Sequence, residues 1–110
     1  MAPEEFVVVL VTAGSAEEAA RIGRTLVEER LVACANVVGP IRSLYRWRDA
    51  VEDAAEHLLL LKARAADVAA LDARVRALHS YEVPEVLALP VQAGSAAYLA
   101  WLDEATARGR

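Results

Sequence analysis

A single cysteine, Cys34, stands among 110 residues. It leaves no internal disulfide and no all-cysteine metal cage within one chain. Aromatic side chains make up only 5%, and 12 Lys and Arg are outnumbered by 16 Asp and Glu, for a net charge of −4. The basic residues are scattered, so the basic stripe and stacking rings of a nucleic-acid surface are missing. No stretch approaches the ~20 apolar residues of a membrane span. The run V-V-V-L-V is too short for a signal-peptide core and follows the acidic M-A-P-E-E-F. A soluble, cytoplasmic chain is the expectation. There is also no glycine-rich phosphate loop, no G-x-S-x-G, no H-E-x-x-H and no C-x-x-C. Neither a nucleophilic triad nor an organic cofactor site is therefore expected.

What the chain does hold is apolar: 56% of its residues are hydrophobic, although much of that is alanine. The length suits one domain over residues 1–110 with a modest core. The stretch from Glu5 to Thr12 holds F-V-V-V-L-V, apolar without alternation, which fits a central strand covered on at least one face and flanked on both sides. Ser15 with Glu18 reads as a capping box opening a helix to about Arg30, with Ala19, Ile22, Gly23, Leu26 and Val27 on its inner stripe. Leu31 to Lys62 reads as two long strands folded back near Arg48-Asp49. At ~3.3 Å per residue the first arm could reach roughly 50 Å. Gly39-Pro40 predicts a bulge or bend that turns the outer half away from the sheet. A second helix spans about Ala66 to Leu78, and a short strand spans Glu85 to Val91. A last helix begins at Gly94-Ser95, and the tail from Ala105 to Arg110 is expected to fray.

The order βαββαβ plus a terminal helix predicts an α+β, ferredoxin-like sandwich. The first strand and the L-L-L-L run belong inside the sheet, and the strands carrying Pro40 and Pro90 belong at its edges. The outer hairpin carries Ile41, Leu44, Tyr45 and Trp47, which a free two-stranded ribbon cannot bury. Another copy of the chain is the natural cover.

The densest chemistry lies in H-S-Y-E-V-P-E, residues 79–85. His79 could ligate a metal or move a proton with Tyr81 as an acid–base pair, while Tyr81 and Glu82 could bond a guest. Equally, His79 could finish a helix, Pro84 stop it and Tyr81 pack inward. Cys34 is either a soft ligand for copper or zinc or a small core residue. Tyr45 and Trp47 face one side of the strand, against a neighbouring subunit or a ligand. Lys62 could hold an anion or snorkel, and His57 reads as a surface residue.

Three blocks, E-E-R-L-V-A-C-A-N-V-V-G-P-I-R-S-L-Y-R-W, L-L-L-L-K and H-S-Y-E-V-P-E, resemble the CutA family of divalent-cation tolerance proteins, in order and spacing, over nearly the whole chain. The resemblance implies a non-enzymatic homotrimer similar in architecture to the PII signalling proteins, with long hairpins paired across subunits. It implies a role in copper and divalent-metal tolerance, with metal or a small ligand bound in clefts between subunits. His79, Cys34 and Glu82 become the implied metal residues, with Cu(II) or another divalent ion as the implied cofactor. Tyr45, Trp47, Lys62, Tyr81 and Pro84 become the implied cleft or interface residues. The PII likeness opens an alternative, a sensor of an anionic metabolite near Lys62, Trp47 and Tyr81. Ser80 stands where the family usually has proline, and a looser turn is expected there. Val11 and Leu78 stand where some copper-binding members carry cysteine and a second histidine.

Overall fold

The apolar first strand, β1 (Phe6–Ala13), lies inside a four-stranded sheet in the computed structural model, which describes residues 1–108. The others are β2 (Cys34–Trp47), β3 (Ala50–Arg64) and β4 (Leu87–Pro90). Their order is β2-β3-β1-β4, and every pairing is antiparallel. Both proline-bearing strands are edges, as read from the sequence.

Helices α1 (Ala16–Glu28) and α2 (Val68–Leu78) bury their apolar stripes against Val9, Val11, Leu59 and Leu61, the centre of the main core. A short 3-10 turn at Ala65–Asp67 precedes α2, so α2 starts two residues later than its periodicity suggests. Gly23 lets α1 sit close, since a Cβ there would lie 3.0 Å from Ala35 Cβ. Val27, expected on the inner stripe, is instead exposed.

Directly paired residues share a face of a sheet. Leu89, Val8, Lys62 and Cys34 form one row on the face away from α1 and α2, and Leu87, Leu10, Leu60 and Asn36 form the next. Helix α3 (Ala96–Ala105) covers only one end of that face, where Leu99 and Leu102 bury Phe6 and Ala33. Over the rest, Val8, Leu10, Leu58 and Leu60 are half-buried and Val38, Leu87 and Leu89 are exposed. Beyond Phe6, the apolar run of β1 lacks full cover on its second side among the described residues.

The tail is held rather than frayed. Thr106 is buried with its hydroxyl donating to Leu102 O at 2.7 Å, and Arg108 reaches Arg30 O at 2.7 Å and Asp67 at 2.8 Å. Residues 109 and 110 lie outside the described residues.

In the hairpin, Val38 pairs with Leu58 and Ile41 with Glu56, so Gly39 and Pro40 together face His57, a bulge. Beyond it β1 has ended, and β2 and β3 continue as a two-stranded ribbon to Trp47 and Ala50. Arg48 and Asp49 close it with φ of 46° and 55°, the left-handed pair of a two-residue turn. His57 is half-buried rather than at the surface, because Gly39 backs onto its ring: a Cβ at Gly39 would lie 2.6 Å from His57 Cδ2.

Candidate functional site

The Tyr81 loop, from the end of α2 to β4, lies against the root and the tip of the ribbon. Its anchor is His79, whose side chain is fully buried. The Tyr81 amide donates to His79 Nδ1 at 3.0 Å, so Nδ1 is an acceptor. Nε2 then carries the proton and donates to Thr12 O at 2.7 Å. Nε2 binds the loop to β1, and Nδ1 braces the loop internally.

Ser80 tightens the turn, contrary to the expectation of a looser one. Its amide donates to Glu18 Oε2 at 2.8 Å and its hydroxyl to Glu18 Oε1 at 3.0 Å, and a proline could make neither bond. Only half of the capping box forms in consequence. Ser15 accepts from the Glu18 amide, but the Glu18 carboxylate is turned to the loop. Partial burial pushes that carboxyl up, yet the two Ser80 bonds, followed by the nearby His79, outweigh it and leave it below its ordinary 4.5. Ser80→Ala removes the hydroxyl bond and keeps the amide bond, and is therefore expected to lower stability by about 1 kcal/mol at neutral pH. A depressed folded value means that the bonds contribute fully above 4.5 and are lost as pH falls through the lower folded value. Urea unfolding at pH 7 and near pH 3 checks this: the deficit should close in acid.

Tyr81 carries the loop onto the ribbon. Its hydroxyl donates to Glu56 Oε2 at 2.6 Å, and Glu56 is only 6% exposed. Burial first, then the Glu56 carboxylate, push the Tyr81 hydroxyl well above its ordinary value. His79 and Tyr81 share no side-chain hydrogen bond: the hydroxyl goes to Glu56, and the rings lie tilted at 43° with 4.5 Å between centroids. Farther out, Glu82 takes Arg48 at 2.7 Å, and Arg42 holds Asp53 at 2.9 and 2.6 Å across the strands.

Between loop and ribbon opens a cleft of about 500 Å³ lined by Thr12, Arg42, Tyr45, Glu56, Tyr81 and Glu85, among others. Tyr45 and Tyr81 are thus brought together, as the sequence suggested. Trp47 stands at the ribbon tip beneath the Arg48 guanidinium, 5.2 Å from its ring centroid, and Pro84 is half-buried; neither lines the cleft. Glu56, Glu85, Arg42 and Glu18 were missed. The only signal for Glu56 was an acid placed next to the L-L-L-L strand core.

The metal candidates are dispersed. Cys34 lies in the Lys62 row, with Lys62 Nζ 3.8 Å from its sulfur and bonded to Asn36 Oδ1. His79 is bound to Thr12, which pairs with Leu58, four residues and about 13 Å along β3. Glu82 is exposed and paired with Arg48. Among the described residues no three His, Cys, Asp or Glu side chains gather as a metal site. Val11 is core, and Leu78 packs against it. His79, Cys34 and Glu82 of one chain do not fit a copper site, because the histidine has no free nitrogen and the thiol is on another row. Nor does one chain bring Lys62 together with Trp47 and Tyr81 for an anion.

Residues 7–105 match the profile of a family described as CutA1 divalent ion tolerance protein. The chain is 48% identical to the divalent-cation tolerance protein CutA of Thermus thermophilus over 99 residues, covering 90% of this chain and 96% of that one. It is 42% identical to the chloroplastic protein CutA 1 of Oryza sativa over 91% of its own length but only 56% of the rice protein. A solved structure of a Thermus thermophilus divalent cation tolerance protein superposes with a TM-score of 0.90 at 47% identity, covering 93% of this chain and 99% of that one.

Proposed function

This chain belongs to the CutA1 family of divalent ion tolerance proteins, and from that premise we propose that it serves the response to divalent cations as a non-catalytic homotrimer with binding clefts at its subunit junctions. The observation that carries the reading is the bare second face of the sheet. Val8, Leu10, Leu58, Leu60, Leu87 and Leu89 form a continuous aliphatic surface beside two edge strands. Such surfaces and open edges mark association. The ribbon adds Leu44, Tyr45, Trp47 and Val51 at 64, 41, 38 and 67% exposure. Among the described residues, the hydrogen bonds from the chain's own loop to the ribbon are those at Glu56 and Arg48. A closed ring of copies would cover the sheet face, the edges and the ribbon together.

The cleft at Tyr81 and Glu56 is the binding site in this reading, and His79 is the residue that positions the loop. Family members tolerate metals, and here that role works through the assembly and its clefts rather than through a His79–Cys34–Glu82 chelate. With Trp101→Phe, Trp47 becomes the sole tryptophan and reports the ribbon. Its emission is expected to resist acrylamide quenching in the native protein. Quenching at the rate of free indole would contradict a covered ribbon.

A further inference from the structure

We propose that the Tyr81 cleft takes a small organic ammonium compound, its N–H groups held by Glu56 and Glu85 and its charge packed among the rings of Tyr45 and Tyr81. The inference rests on the reading of this cleft as the binding site and adds the class of guest.

Charge is the first argument. Among the described residues Arg42 is the one cation lining the cleft, and it is spent on both oxygens of Asp53. Glu56 and Glu85 are then left without a cationic partner among the described residues. The buried Glu56 gives Oε2 to Tyr81, and its Oε1 takes no hydrogen bond among the described residues. That oxygen is left free to accept from a guest in the cleft. Burial first, then the charge of Glu56, push the Glu85 carboxyl above its ordinary value, so the two acids already oppose each other. A cation between them relieves both.

Size and chemistry choose the kind of cation. The cleft holds about 500 Å³, in the range of small-molecule sites and far larger than a bare ion needs. Two carboxylates, one partly committed, are a poor cage for a divalent metal, which wants several oxygen or imidazole donors. An ammonium group asks for less: carboxylate acceptors for its N–H donors and aromatic surface for its charge. Glu56, Glu85, Tyr45 and Tyr81 supply both, and Leu44 and Val83 line the rest for an alkyl portion.

Calorimetric titration of the full-length native protein tests this with four probes: 1,4-diaminobutane, Zn(II), Cu(II) and acetate. The diamine is expected to bind at about millimolar or tighter. Affinity should fall about tenfold or more in Glu56→Gln and again in Glu85→Gln, the second removing only a rim carboxylate and keeping the fold. Diamine binding unchanged in both variants would place it elsewhere and overturn the proposal. Binding of Zn(II) or Cu(II) in its place, lost in the same variants, would overturn the organic class but keep the cleft as a cation site. Acetate bound there would keep the cleft and reverse its charge preference, again overturning the proposal. No binding by any probe would remove the cleft reading itself.

Discussion

Leu61→Ala is expected to lower the unfolding free energy by about 2–5 kcal/mol. Leu61 is fully buried on β3, paired with Val9 on one side and Ala35 on the other, under α1 and α2. Its strand neighbours are held in the ladders of β1 and β2 and cannot relax inward without breaking them, so the cavity remains and costs extra. A domain of this size has only some 5–15 kcal/mol in hand. The loss should appear as a lower urea midpoint with an unchanged slope. Wild-type resistance to urea would mean that this side of the sheet is not the main core.

One residue earlier, the opposite substitution probes the opposite face. Leu60→Asp is expected to dissociate the assembly while leaving a folded chain. Leu60 sits between Leu10 and Asn36 on the uncovered side, half-buried in a single copy. In a lone subunit an aspartate there stays hydrated and costs little. Buried between copies it would be an unpaired charge, which costs several kcal/mol. Each 1.4 kcal/mol is a factor of about ten in association, so assembly should weaken by about two orders of magnitude or more. Sedimentation of Leu60→Asp beside Leu61→Ala separates the two faces: mass falls in the first, stability in the second. Retention of full mass by Leu60→Asp would show that this face is not the interface.

The same pair explains how much of the fold could be read in advance. β1 and L-L-L-L are apolar at every position rather than at every second one, which places them centrally and leaves both faces needing cover. Right-handed crossovers put the second and fourth strands outside, and Pro40 and Pro90, unable to donate to a ladder, mark the same two edges that the structure has. Gly39-Pro40 announced the bulge. The hairpin register was not legible, because Arg48-Asp49 is not a usual sequence for a left-handed two-residue turn, although both residues adopt it.

The candidate site was legible by region and not by partner. The density of H-S-Y-E-V-P-E pointed to the loop, but residue types cannot say that His79 spends both nitrogens on Thr12 and Tyr81. Tyr81 and Glu56 are 25 residues apart and meet only because the bulge and the end of α2 bring ribbon and loop together. Ser80 looked like a loosened proline position, yet its amide and hydroxyl gain a partner in Glu18, 62 residues away. Cys34 and His79 looked like ligands by chemistry, yet Cys34 stands on the Lys62 row of the sheet while His79, at the end of α2, is bound to Thr12 on a different row.

Assembly is the central claim, and the mass of the unmodified protein tests it most directly. Sedimentation velocity across micromolar dilutions is expected to give three times the 11.8 kDa of one chain. A stable species at 11.8 kDa, with the aliphatic sheet face and ribbon bare in water, would contradict the account.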